Sequence, residues 1–320
     1  MIFDTGKTRQ IALTSRGEMM YDIVVVGGGP AGLTATIYGI RKRLNVLLVS
    51  KDLGGKTNFH LELPDVEDYQ VIRGIEIVNK FRTELEYLDF ARHMEPVELI
   101  TRHQGGFAVQ TKGGDELLTK AVIVATGTQH QRLDVPGEKE FLMRGLCYSA
   151  ISYAPLFIDK TTVVIGEGDL ALRSAGELST VASHVYLVGP TSAVLDSVLG
   201  SKLKAAQNVT VLQDYRVTAI LGDDYANRVI VAGPDGQEEE ISADGLFIER
   251  ALVPNSEMVA NLVDLDAQGR IKIDARNRTS VPGIFAAGDV ADTYAEQVLV
   301  AAGEGAKAAL SAYEYLLPTL

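Results

Sequence analysis

From Tyr21 to Val26 the chain runs through a β-branched apolar stretch that stops at glycine. A stretch of helical character follows through about Arg43, and a second apolar run spans Asn45 to Val49. Short continuous apolar runs bounded by glycine predict strands covered on both faces, so this segment reads strand–helix–strand. A second such unit begins at Thr162 with VVIGEGDLA and returns to a strand at His184 to Val188. Later, Val281-Pro282-Gly283 leads into IFAAGDV, predicted as a buried strand ending at Gly288-Asp289. A final helix carries small residues at Ala301, Ala302, Gly303, Gly305 and Ala306. Two βαβ units in 320 residues suggest an internal duplication, with a hinge-like run from Ala125-Thr126-Gly127 to Pro136-Gly137 between them.

The turns of both units carry the same punctuation. Gly27-Gly28-Gly29-Pro30-Ala31-Gly32 is a G-x-G-x-x-G turn between a strand and a helix, and Gly166, Gly168 and Ala171 repeat that spacing. Such a turn lets a pyrophosphate approach the backbone closely, while the helix N-terminus supplies amide donors and partial positive charge. The expected fold is therefore α/β, built from two Rossmann-like, three-layer dinucleotide-binding domains. The first domain is discontinuous, comprising about 1–128 and 250–320, with 129–249 inserted. Residues 1–20 read equally as an arm packing on a neighbour or as a disordered tail.

Composition narrows the partners. Hydrophobic content of 46% with 22% charged residues suits a soluble globular protein. A net charge of −12 opposes phosphate backbones and anionic membrane surfaces, so neither nucleic acid nor membrane is expected as a partner. The first twenty residues contain no continuous apolar stretch of the signal-peptide kind. Cys147 is the only cysteine, which excludes a disulfide framework and fits a reducing compartment. The cytoplasm is the expected location. The five histidines, 60, 93, 103, 130 and 184, show no metal-ligand spacing, and no metal is expected.

Several motifs occur in one order: GGGPAG at 27–32, Gly54-Gly55, ATG at 125–127, G-x-x-Y-S-A-x-S at 145–152, PN at 254–255, VPGIFAAGDV at 281–290, then Gln297 and AAGxG at 301–305. In this the chain resembles the low-molecular-weight thioredoxin reductase family of flavoproteins, from about residue 20 to 317. The resemblance implies FAD as cofactor and a homodimer. It places the pyrophosphate on Gly27, Gly29, Pro30, Ala31 and Gly32, and the adenosine ribose by Ser50 and Lys51. Backbone near Met94 would meet the adenine. Gly55 and Lys56 would approach the ribityl chain or flavin, with Ala125, Thr126 and Gly127 lining the site and Asp65 near the flavin. Gly288 and Asp289 would meet the ribityl hydroxyls or phosphate. The amides of Gln297 and Val298, preceded by Glu296, would face the pyrimidine edge, where a helix dipole stabilises negative charge.

The departures from that family decide the functional expectation. A dithiol would sit at 149 and 152, yet serine stands at both, and two thiols are needed to cycle a disulfide. The His-Arg-Arg run expected to grip the 2′-phosphate of NADPH is replaced by Gly189-Pro190-Thr191. Each lost charge-assisted contact is worth roughly 1.5–3 kcal/mol. Glycine at 189 also lacks the acid an NADH site uses on the ribose, and Glu167 adds negative charge inside the turn. Cys147 is the single candidate thiol, weighed against a small buried hydrophobe. Position 50 is serine where an acid is common, and Glu296 stands where arginine is common. Asp65 and Glu296 are read as solvent-facing carboxylates. Arg41-Lys42-Arg43 complements a helix C-terminus, or offers a docking patch to an acidic electron carrier such as ferredoxin.

The expected activity is that of an FAD-dependent oxidoreductase without a redox dithiol. It would draw electrons from a donor other than NADPH and work with a small electron-carrier protein. The alternatives are a non-catalytic FAD-binding or redox-sensing protein and an NAD(P)H-dependent ferredoxin or flavodoxin reductase.

Overall fold

The computed structural model describes residues 12–13, 19–64, 66 and 74–320. It divides into two compact units, one drawn from Met1–Asn58, Arg73–Thr128 and Pro254–Leu320, the other from Phe59–Ile72 and Gln129–Val253. The expectations for the N-terminal arm concern mainly residues outside the described set, and Asp65 lies outside it as well.

In the first unit the strand Met19–Val26 lies between Val46–Val49 and Glu116–Val124, parallel to both. Ile284–Ala286 adds a further parallel strand beside Glu116–Val124. Alternate residues of Met19–Val26 feed two cores. Ile23 and Val25 pack with the helical layer through Leu33 and Ile37, while Val24 and Val26 face Val109, Val281 and Ile284. Both faces are dry, which is why the run reads as continuously apolar. Glu116–Val124 serves two assemblies. Glu116 to Thr119 pair antiparallel with Gly106–Thr111, which pairs in turn with Val97–His103, while from Leu118 onward the strand also pairs parallel with Met19–Val26.

The predicted helix begins at Pro30 and ends at Arg41, two residues before the expected end. Lys42 closes it with bonds to Tyr38 and Gly39 carbonyls, and Arg43 takes a left-handed φ of 62° that breaks the helical path. Arg41 pairs with Glu84 at 3.1 Å and the Lys42 ammonium sits 5.1 Å from the Tyr313 ring centre. These two cations thus have partners at the helix end. Strand pairing on this side starts at Val46, because the amide of Asn45 is taken by the Asp22 carboxylate at 2.9 Å.

The second unit holds a five-stranded parallel sheet in the order Val209–Leu212, His184–Val188, Thr161–Ile165, Gly245–Ile248, Leu146–Cys147. The helix Asp169–Leu178 packs on it through Ala171, Leu172, Ala175 and Leu178. A three-stranded antiparallel sheet, Arg216–Gly222, Ala226–Ala232 and Glu238–Ser242, closes the other core with Val217, Val229 and Ile241. Leu61 and Leu63 are buried in this unit's first core. Two parallel-sheet units with helical cover make the α/β fold with two Rossmann-type domains. Among the described residues no helix is long and apolar enough to cross a membrane.

Candidate cofactor site

In the first unit the glycines of the turn answer to sterics. Gly27 has φ 110°, and a Cβ there would fall 2.3 Å from the Ala125 carbonyl oxygen. A Cβ at Gly32 would lie 1.7 Å from the Gly27 carbonyl oxygen, so the helix can start this close to the strand only without a side chain. Gly29 is different: nothing lies within 4 Å of its Cβ position. It is the extended N-cap of Pro30–Arg41, with Pro30 at the first helical position, no side-chain cap and no acid in the first turn. Open space before uncapped amides is what a pyrophosphate requires.

A second glycine pair closes on this turn. The Gly54 amide donates to the Gly28 carbonyl at 2.7 Å, and a Cβ at Gly55 would meet Gly29 Cα at 3.2 Å. Asp52 accepts the Gly55 amide at 2.8 Å, and the Ser50 hydroxyl donates to the Asp52 carbonyl at 2.7 Å. Ser50 is thus spent on shaping the loop, next to exposed Lys51. Met94 is exposed one residue beyond His93, whose carbonyl accepts the Ser50 amide. Ala125 continues the ladder to the Val26 carbonyl at 2.7 Å. Thr126 donates its hydroxyl to the Asn255 carbonyl at 2.5 Å, and the Asn255 side chain returns a bond to the Thr126 carbonyl. Gly127, at φ 67°, has open space at its Cβ position.

The charged members sit together. Lys56 Nζ lies 2.7 Å from Asp289 Oδ2 and donates to the Thr128 hydroxyl at 2.8 Å. The Asp289 side chain is 14% exposed. Gly288, at φ 75°, packs toward Ala31 and gives its amide to Glu304 at 2.8 Å. Glu296 departs from expectation: its side chain is only 22% exposed and is held by Arg270 at 2.9 Å, so it does not face solvent. Burial, then the Asp289 charge, pushes its carboxyl above the usual carboxylate range, against the pull of Lys56 and Arg270. Gln297 is the extended N-cap of the 19-residue helix Val298–Leu316, again with no side-chain cap and no acid in the first turn.

The turn of the second unit repeats the first geometrically. A Cβ at Gly166 would fall 2.1 Å from the Glu249 carbonyl oxygen, while Gly168 is the extended N-cap of its helix with open space around it. The electrostatics differ. Asp169 stands in the first turn of the helix, and Glu167 is held by Arg250 at 3.1 Å. Arg250 also donates to the Arg132 carbonyl at 2.8 Å. Gly189 has φ 86°, and the Thr191 amide and hydroxyl both turn back on the Glu167 carbonyl, at 3.2 and 3.4 Å.

At the dithiol positions the Ser149 hydroxyl donates to Ser152 Oγ at 2.8 Å. Cys147 is 1% exposed in the core with Ala150, Phe157 and Phe247. Burial drives its thiol far above the ordinary range, aided by the nearby Glu249 charge, so it carries no thiolate at neutral pH. Glu249 is itself buried and accepts the Ala150 amide at 2.6 Å. Glu249, Arg250, Arg270 and Glu304 carry interactions that motif spacing did not single out. Each acts on a partner distant in sequence, so only an acid or base standing oddly in an apolar stretch, as in IERAL, could have flagged any of them.

Comparisons agree with this geometry. The family model for pyridine nucleotide-disulphide oxidoreductases, FAD-dependent enzymes, matches residues 21–305. Thioredoxin reductase from Streptococcus pyogenes MGAS5005 superposes with a TM-score of 0.81 at 31% identity, covering 93% of this chain and 99% of that one. Thioredoxin reductase from Giardia duodenalis gives 0.80 at 28% identity, with the same coverage. A component of alkyl hydroperoxide reductase from Pseudomonas putida, its F subunit, is 32% identical over 327 aligned positions, 99% of this chain. The chain spans 62% of that relative's length. With the match running through both glycine turns and the last helix, the chain belongs to the pyridine nucleotide-disulphide oxidoreductase family, in its thioredoxin reductase-like branch.

Proposed function

We propose that this chain is an FAD-dependent oxidoreductase that works without a redox dithiol and draws its electrons from a donor other than NADPH. The residues of the first unit fit FAD: the turn Gly27–Gly32 with the helix N-terminus at Pro30 for the pyrophosphate, Gly55 and Lys56 beside it, and Asp289 for a hydroxyl. When bound, the flavin supplies the exchange of hydride or single electrons. The uncapped amides after Gln297 favour negative charge at the pyrimidine edge. Lys56 balances Asp289, and Arg270 fixes Glu296, so the acids of this region are held in place.

The observation that carries the proposal is the Ser149–Ser152 hydrogen bond, with the only thiol buried in the core nearby. Neither hydroxyl can accept electrons as a disulfide does. The donor half rests on the second turn. Its anion-facing charge is engaged between Glu167 and Arg250, and positions 189–191 offer no cation to a 2′-phosphate. A small electron-carrier protein as partner and a homodimer belong to the same proposal, and both follow from the resemblance of the sequence motifs. The test is an anaerobic titration with NADPH, then NADH, then dithionite, following flavin absorbance. Bleaching by dithionite alone is expected. Rapid bleaching by either nucleotide would overturn the donor assignment, and a protein purified without flavin that binds no added FAD would overturn the cofactor.

A further inference from the structure

At the far edge of the first unit's parallel sheet, the short strand Arg92–His93 ends in a bend at Met94 and Glu95, and the chain next to it is tied to the hairpin turn Lys112–Asp115 through the Lys112 amide and the Pro96 carbonyl. His93 Nε2 lies 3.6 Å from a Glu95 carboxylate oxygen and 3.4 Å from one of Asp115. One ligand atom from each of the three lies within 4.8 Å of the others. The spacing of histidines and cysteines along the chain does not reveal this group, because Asp115 reaches it only through the hairpin pairing. Both separations exceed a good N–H···O bond, of about 2.7–3.2 Å. They lie close to the ligand–ligand edge of a tetrahedral site, about 3.3–3.6 Å for metal–ligand bonds of 2.0–2.2 Å.

The group is built and it is unsatisfied. As atoms, His93 Nε2 and Glu95 Oε2 are shut off from solvent and lack a well-formed hydrogen bond, although the two side chains are 27% and 36% exposed and lie within ion-pair range of each other; polar atoms left this way are uncommon in a native fold. The surroundings hold the carboxylates in place. Thr111, almost fully buried, is the first of the groups that hold the Glu95 carboxyl below the usual carboxylate range; His93 and the Gly113 amide contribute. The same Thr111 hydroxyl accepts the Asp115 amide at 3.1 Å. Gly113 makes room, since a Cβ there would meet the Glu95 carboxylate at 2.4 Å. The Lys112 amide ties the turn to the Pro96 carbonyl at 2.9 Å. Support of this kind is what orients metal ligands.

We propose that His93, Glu95 and Asp115 form a binding site for Zn²⁺, with three protein ligands and the fourth position left to water. One imidazole with two carboxylates is a zinc donor set, whereas Mg²⁺ takes oxygen ligands in octahedral geometry. The metal would fasten the segment 93–95, and with it Met94, to the hairpin turn. The site stands apart from the redox reading and does not depend on it.

The test is calorimetric titration of the tag-free full-length protein with ZnCl₂, alongside MgCl₂. Wild type is expected to take up one Zn²⁺ per chain and no Mg²⁺ at the same concentrations. His93→Gln and Asp115→Asn are each expected to weaken Zn²⁺ binding at least tenfold. Asp115 is exposed on its turn, so Asp115→Asn keeps the test valid where His93→Gln fails to fold. Absence of Zn²⁺ uptake by wild type, or equal affinity in folded Asp115→Asn, would overturn the proposal.

Discussion

Single residues set the charge of the candidate flavin site, and Glu296 is held above the usual carboxylate range by burial and by Asp289. In the unfolded chain a glutamate ionises near 4.5. In the folded protein burial and Asp289 keep the proton on to higher pH. Between those two values the folded state binds more protons, so stability falls as pH climbs through the window. Glu296→Gln removes this dependence. Denaturant midpoints measured from about pH 4 to about pH 8 should decline less steeply in the variant than in wild type; parallel slopes would show that Glu296 titrates normally. The residue itself was visible in the sequence, next to Gln297, but its orientation was not. A solvent-facing carboxylate was expected, and Arg270, 26 positions away, turns it inward. Ser50 shows the same limit. The resemblance places it by the adenosine ribose, and what the sequence could not show is that its hydroxyl donates to the loop carbonyl of Asp52.

Elements were more legible than side-chain partners. The strands Tyr21–Val26 and His184–Val188 could be read because they are apolar on both faces, and glycine turns mark where they stop. Element ends shifted by a residue or two for local reasons, a side chain taking a backbone amide, as Asp22 does at Asn45, or a left-handed residue, as at Arg43. The small residues of the last helix were legible as a composition, and the structure supplies their reason. A Cβ at Gly305 would lie 2.1 Å from the Ala31 carbonyl oxygen, on the helix that follows the first turn. Gly305→Ala forces these two helices apart and should cost about 1–3 kcal/mol of stability, with FAD retained less firmly because Ala31 belongs to the turn. Chemical denaturation and flavin release on dilution measure the two effects. Unchanged stability would mean that the helices have slack at that crossing.

At the scale of the whole chain, the two glycine turns share geometry and have parted in electrostatics. The repeated turn was legible because sterics impose the same glycines on both. The parting was half legible. That positions 189–191 carry no cation could be read from Gly189-Pro190-Thr191, but the Arg250–Glu167 pair joins positions 83 residues apart and no local pattern announces it. This separates two questions that a single activity assay would merge. The double variant Ser149→Cys, Ser152→Cys restores thiols and leaves the second turn as it is. It is expected to show no NADPH-dependent reduction of thioredoxin in a disulfide-coupled assay, while dithionite still reduces its flavin. Appreciable NADPH-driven turnover would mean that the second turn accepts the nucleotide after all.

The strand Glu116–Val124 has a bearing on the timing of motions. Its last three residues are fully buried and paired on both sides, with Met19–Val26 and with Ile284–Ala286. Such backbone opens last, on the slowest local-unfolding scale a unit possesses. Ala125, Thr126 and Gly127 hang directly from that end and are pinned again at Asn255. Fraying of the outer strands or of the Lys112–Asp115 hairpin therefore leaves the anchor of this loop paired and in place.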